Sequence, residues 1–393
     1  LGFVAESGST VHIENSTIQN CGWDPIAIST TSNPTFSNIT FNSNGSNGVS
    51  LLESNNFSTY YYGFNAGDLY FDTRNVMSTN TTITPYSIAG YTDMPFIMHY
   101  QFFVGENTTV SVAPKVILKG NHTVYVDGAR RVLGTVADPV IFTSEKDDSA
   151  GGDSNNDGND SAPNRGESLR MYFRASSIDS SNLVKNAQFR YSSNAIYFEN
   201  ADAKIDSSLF QLTSDHAIRI YGNSAPDISN NRFENIGQAT SSYRRHSVYM
   251  DMFTDPTFSN NIESNVSLKG LGINYGNWGS DATIPYRSFA GVDTVTYVLH
   301  GNIDIPSGTK IIIPEGIVFK KYTAYGTYRS GSFGLRVDGA LKVQGTASNP
   351  VIFTGDVDDG FGKPVDLYTD GQVNDTYRSG TWIQYSETSE DTA

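Results

Sequence analysis

Apolar and polar residues alternate in short runs from the start of the chain. Thr10-Val11-His12-Ile13-Glu14 and Thr35-Phe36-Ser37-Asn38-Ile39-Thr40-Phe41 both have period two, the period of a half-buried strand. Asn, Ser and Gly fill the gaps, as turns need. No ten-residue window keeps a 3.6-residue apolar stripe, so few helices are expected. Pro34-Thr35-Phe36-Ser37-Asn38, Pro226-Asp227-Ile228-Ser229-Asn230 and Pro256-Thr257-Phe258-Ser259-Asn260 repeat one phrase. Strands return about every 20 to 25 residues. Such a pattern suits stacked coils, whose inward residues form continuous ladders and whose Asn side chains satisfy the tight turns.

A much longer repeat lies on top of this one. Val126-Asp127-Gly128-Ala129 recurs 211 residues on as Val337-Asp338-Gly339-Ala340. Gly134-Thr135, Pro139-Val140-Ile141-Phe142-Thr143 and Asp147-Asp148 recur at the same offset as Gly345-Thr346, Pro350-Val351-Ile352-Phe353-Thr354 and Asp358-Asp359. Upstream, Thr84-Pro85-Tyr86, Thr109 and Pro114 match Ile284-Pro285-Tyr286, Thr309 and Pro314 at an offset of 200. The reading divides the chain in three. Residues 1–80 are the last coils of a preceding unit. Residues 81–280 are a repeat unit with an Asp-rich loop at 147–160. Residues 281–393 begin the next unit, with its loop at 356–375. Leu1 opens inside a pattern, so the chain is expected to be a piece of something longer.

The V-D-G-x-L…G-T-x-x-x-P-V-I-F-T phrase resembles that of repetitive right-handed parallel β-helix surface proteins of prokaryotes, a pectate-lyase-like superfold. That resemblance implies an all-β fold with at least two consecutive solenoid blocks carrying Asp-rich insertions. It implies fold and an extracellular or cell-surface location better than it implies activity.

Charge and chemistry narrow the function. The formal charge is −15, and no basic cluster exceeds Arg244-Arg245, so a nucleic-acid partner is not expected. No apolar run reaches the roughly 18 residues of a membrane span. Cys21 is the only cysteine, so no intrachain disulfide can form. Cohesion must then come from ladders, metal and contacts between copies.

Asp153-Ser154-Asn155-Asn156-Asp157-Gly158 fits the first half of a calcium loop. Alternating oxygen ligands wrap one hard cation and Gly permits the bend. Asp147, Asp148 and Asp160 stand close enough to complete the shell. The twelfth position holds Asn164 instead of Glu. In the second copy Asp366 and Asp370 align with Asp153 and Asp157, beside Asp358 and Asp359, but Tyr368 takes the third position. Calcium is therefore expected at 147–160 and is weaker at 356–375.

The usual short carboxylate phrases of β-helix hydrolases are missing. Arg244-Arg245-His246, near Asp215-His216, reads as a loop tip. Trp23, Trp278, Trp382 and Tyr60-Tyr61-Tyr62 could stack on sugars or cap solenoid ends. The expectation is a self-associating structural protein, a filament, sheath or adhesin stalk without catalytic residues. Its partners would be copies of itself and surface glycans. The alternative is a polysaccharide-binding or polysaccharide-degrading protein.

Overall fold

The structure is a computed structural model. It describes residues 100–155, 157, 160–238, 244–322, 334–368, 382–387 and 389, together with short segments between residues 3 and 98. The described residues contain no α-helix, and one 3₁₀ turn at Asp179–Ser181. Most strands are two to five residues long and stack in parallel, coil upon coil. The chain divides into two compact units, Leu1–Thr213 and Ser214–Ala393, a different cut from the repeat phase.

From Asp68 onward the first unit has three ladders. One runs through Thr81–Ile83, Thr109–Val112, Ala129–Leu133, Leu183–Lys185 and Lys204–Asp206. A second runs through Asp68–Thr73, Phe96–Met98, Ile117–Gly120, Val140–Thr143, Ala187–Arg190 and Leu209–Gln211. The third runs through Val76–Met77, Phe102–Val104, Thr123–Val126, Arg170–Phe173 and Ile196–Glu199. Alternation decides which side chains enter. Val110, Val112, Val124, Val126 and Val132 are fully buried. Phe142, Phe189 and Phe210 stack at 4.7 and 5.0 Å, nearly coplanar. On the outer side Phe103, Tyr125, Tyr172 and Tyr197 form a second stack, and the Arg174 guanidinium sits 4.0 Å from the Tyr125 ring.

In the second unit one ladder runs from Ile218–Tyr221 through Val248–Met250, Leu271–Ile273, Tyr297–Leu299 and Val318–Lys321 to Ile352–Gly355. The other two ladders stop at Thr257–Ser259 and Ile262–Ser264. Phe289 packs against Phe233 and Phe258 where they end. New ladders start at Gly276–Asn277 and Ala282–Thr283. The fresh block expected near Ile284 is thus a replacement of two ladders while the third continues.

Asparagine fills the bends as expected. Asn230, Asn235, Asn260 and Asn265 all have φ between 51° and 58°, a left-handed conformation that Asn tolerates better than most residues. Asn260 Nδ2 donates to Asn230 Oδ1 at 3.2 Å, and Asn265 does the same to Asn235.

The conserved phrases of the two copies have local causes. A Cβ on Gly128 would lie 2.2 Å from the Gly105 carbonyl, and one on Gly339 would lie 2.3 Å from the Pro306 carbonyl. Only Gly fits there. Thr135 Oγ1 accepts from the Asp138 N–H, and Thr346 Oγ1 accepts from the Asn349 N–H, closing the same turn in both copies. The upstream register is 201, not 200. The Thr109 N–H donates to Asn80 Oδ1, and its counterpart is the Lys310 N–H donating to Asp281 Oδ1. Hydrogen bonding sets that register, so the matched threonines and prolines mislead by one residue.

Candidate functional site

The acidic insertion of the first unit leaves the coil after Val140–Thr143. Asp147 is buried. Thr143 Oγ1 donates to its Oδ2 at 2.6 Å, Ser149 Oγ donates to its Oδ1, and Arg190 Nη1 lies 3.5 Å from Oδ2. That carboxylate is occupied in holding the turn. Asp148, Asp153 and Asp157 are brought together, each with a carboxylate oxygen within 4.8 Å of the others. Asp148 Oδ1, Asn155 Oδ1 and Asp157 Oδ1 are all buried and accept no hydrogen bond. Asn155 Nδ2 donates to Asp157 Oδ2 at 2.7 Å, and the Asp157 N–H donates to Asp153 Oδ1 at 3.2 Å. Burial, then the neighbouring Asp153, pushes the Asp148 carboxyl up in pKa, with Lys119 opposing. Three close carboxylates, two of them with an unsatisfied oxygen, suit one hard cation. Asp160 is exposed, and its N–H donates to the Asp157 carbonyl.

The second insertion opens with the same turn. Thr354 Oγ1 and the Gly360 N–H donate to Asp358. Beyond it the chemistry differs. Tyr368 OH donates to buried Asp356, and the Tyr368 N–H donates to Asp366 Oδ1. Leu367 and Tyr368 pack into a cluster with Leu268, Val298 and Val357. Asp359 lies close enough to Lys320 to favour its charged form. Asp370 lies outside the described residues. No second carboxylate group of the Asp148 kind occurs among the described residues.

The sequence reading missed the buried lysines. Lys119 pairs in register with Thr143, and Lys320 with Thr354. Both are fully buried. Their place in the repeat was legible, but alternation puts them on the outer face beside inward Leu118 and Phe319, so their burial beneath the insertions is not expected.

Arg245, His246, Asp215 and His216 do come together, though not as a loop tip. His216 and His246 are buried, and their rings stack at 5.7 Å. Tyr249 covers His216 at 4.3 Å, and Tyr322 covers His300 at 4.4 Å. The hydrogen bonds assign the tautomers. His246 Nδ1 lies 3.0 Å from the Gly270 carbonyl, which can only accept, so Nδ1 carries the proton. His246 Nε2 then accepts from His300 Nε2–H at 2.8 Å. The His246 N–H donates to His216 Nδ1, which leaves the His216 proton on Nε2, 3.5 Å from Asp215. Burial drives all three imidazoles down in pKa, His246 to about 3. Arg219 and Arg245 both pair with Asp215 at the half-buried margin. Of the other aromatic candidates, Trp278 is buried and Trp382 packs on Phe353. Trp23 and the side chains of Tyr60-Tyr61-Tyr62 lie outside the described residues.

Beside this cluster, Glu263 takes the ladder position next to Phe233. Burial pushes its carboxyl up to about 7, against the Ser247 hydroxyl that donates to it. A folded-state pKa above the unfolded value means the charged form is disfavoured by folding. That penalty is absent below the unfolded pKa and complete above about 7. Glu263→Gln should therefore stabilise the second unit by about 1–3 kcal/mol at pH 8 and leave it unchanged at pH 4. Thermal melts at the two pH values check this. An equal shift at both would show that charge is not the cause.

The fold is a right-handed parallel β-helix. The family model described as right handed beta helix region matches residues 1–85. A solved structure described as alginate lyase from Paenibacillus sp. str. FPU-7 is 12% identical, with a TM-score of 0.29. The match covers 64% of this chain and 93% of that one. No curated protein matches the chain. The match corrects the expectation of no catalytic function, because the structure matched is an enzyme. Arg244-Arg245-His246 was read as a loop tip, whereas Asp215, His216, Arg219, Arg245, His246 and His300 form one half-buried to buried polar cluster. At 12% identity the likeness carries no activity across to this chain.

Proposed function

We propose that the chain is a calcium-stabilised length of an extracellular β-solenoid that associates with copies of itself in a surface filament, sheath or stalk. The observation that carries this reading is the Asp148–Asp153–Asp157 group with its buried, unsatisfied oxygens. Holding three carboxylates together without a cation sets like charges against each other. A metal that binds only the folded form adds stability by mass action, about 2.7 kcal/mol at a hundred times its Kd. Excess chelator should lower the melting temperature, and added calcium should restore it. Asp157→Asn should remove most of that response. Identical melts of the unmodified chain with calcium and with chelator would end the calcium reading.

The assembled Asp215–Arg245–His246 constellation favours a second reading, a polysaccharide-acting protein. Arginines at a half-buried margin would meet an acidic sugar. Incubation with acidic and neutral polysaccharides tests it. Release of reducing or unsaturated ends that Arg219→Ala abolishes would support it, and no release from any substrate would remove it.

A further inference from the structure

We infer that the second unit carries a binding site for a neutral pyranose chain, in the shallow cleft lined by Phe253 and Tyr275 where a new ladder begins. The site adjoins the histidine cluster but depends on neither reading above.

The cleft exists because that ladder starts without a predecessor. Gly276–Asn277 is its first strand, and among the described strands it pairs only with Ile303–Ile305, in parallel. The Gly276 N–H donates to the Asn302 carbonyl at 3.0 Å, and the Trp278 N–H donates to the Asp304 carbonyl at 2.7 Å. Alternate residues of a parallel strand bond to one side, so the N–H and C=O of Asn277 face the side that has no strand. There the preceding coil passes as the turn Asp251-Met252-Phe253, and the space between turn and strand is the cleft.

Its lining is aromatic at the mouth and polar at the rim. Tyr275 is 68% exposed and Phe253 41%, whereas Trp278 is buried and its Nε1–H finds no acceptor among the described residues. A Cβ on Gly301 would lie 2.7 Å from the Tyr275 Cβ, so the base of Tyr275 rests on a glycine while its ring stands in solvent. Nothing lies within 4 Å of where a Cβ on Gly276 would be, so the strand can be approached closely. Asn274 Nδ2 donates to Asp251 Oδ1 at 2.8 Å, and Tyr249 OH donates to Asn274 Oδ1 at 2.9 Å. The Gly222 N–H donates to Asp251 Oδ2 at 3.0 Å. These bonds fix a carboxylate and an amide beside the rings.

Exposed rings next to unpaired donors and acceptors suit a sugar. Its C–H faces pack on the rings, and its hydroxyls both donate and accept. An added peptide strand fits poorly, because the open edge offers the groups of a single residue. An acidic sugar fits poorly too. No cation lines the cleft, and the Asp251 carboxylate stands in it. The arginines that would meet an acidic sugar lie across Tyr249, with the Arg219 guanidinium 5.4 Å from its ring.

Calorimetric titration of the full chain with cellohexaose, mannohexaose and xylohexaose tests the site. At least one of them should bind with a Kd of about 1 mM or tighter. Tyr275→Ala should weaken that binding at least tenfold without lowering the melting temperature, since its ring lies in solvent. Tyr275→Phe, which keeps the ring, should bind as the unmodified chain does. Phe253→Ala should also weaken binding. Excess hexauronate should not displace the neutral sugar, and Arg245→Ala should leave its affinity unchanged. No binding of any of the three sugars, or full affinity in Tyr275→Ala, would overturn the site. Displacement by hexauronate would overturn the preference for a neutral sugar. Loss of binding in Arg245→Ala would move the sugar to the arginine margin and overturn the site as well. Release of sugar ends from acidic polysaccharides is a separate readout, so the fate of that reading leaves this one undecided by it and tested by binding alone.

Discussion

Phe189→Ala should destabilise the first unit by about 3–5 kcal/mol, the range for removing a buried phenyl ring from a packed core. Phe189 sits in the middle of a three-ring stack and is wholly enclosed. Its loss removes both faces of stacking, for Phe142 and for Phe210, beyond the area term. A solenoid gives little room for repair, because each coil is held by its two neighbours and the backbone ladders fix their spacing. The cavity should therefore stay open. Phe103→Ala is the control. Phe103 lies on the outer stack, half-buried, and should cost well under half as much. Urea unfolding of the two variants measures the difference. Equal losses would show that the outer aromatic stack is as much a core as the inner one.

That contrast also shows what the sequence could and could not reveal. Period-two alternation put Val110, Val112, Val124 and Val126 inside, and the Asn-bearing phrases put left-handed bends at Asn230 and Asn260. These are local properties of a strand and a turn, so a linear pattern carries them. The nearness of Asp148, Asp153 and Asp157 was legible for the same reason, since they lie within ten residues. The histidine cluster was not. His216, His246 and His300 come from three coils, and the ladder register that aligns them has no trace in their own surroundings. Lys119 failed differently. It stands at an outward position of its strand, beside inward Leu118, where a charge is ordinary and burial is not expected. A loop some 30 residues downstream covers it and supplies the oxygens its ammonium needs. The 201-residue register is a third case, because hydrogen bonds outrank residue identity where both are short.

Arg130→Leu should make the first unit more stable, by about 1–4 kcal/mol, the range seen when a buried charge gives way to an apolar residue of similar volume. The second copy makes the substitution naturally. Arg130 pairs with Val110 in its ladder, and Leu341 pairs with Ile311 at the equivalent place. Among the described residues Arg130 is the largest wholly buried side chain, and its Nε and Nη1 find no hydrogen-bond partner there. The Phe102 ring, 5.4 Å from the guanidinium carbon, offers the attraction of a π face. That contact is worth about 2 kcal/mol when desolvated, less than the solvation the guanidinium gives up. Burial accordingly lowers the Arg130 pKa to about 9. The sign follows from the direction. A base whose folded pKa lies below its unfolded value carries its full penalty at every pH below about 9, and the penalty fades only above that. The gain from Arg130→Leu should thus be flat from pH 5 to pH 8, unlike that of Glu263→Gln, which grows across the same window. Denaturant titrations at both ends of the window measure it. A less stable Arg130→Leu chain would mean that the guanidinium holds a water or an anion worth more than its desolvation.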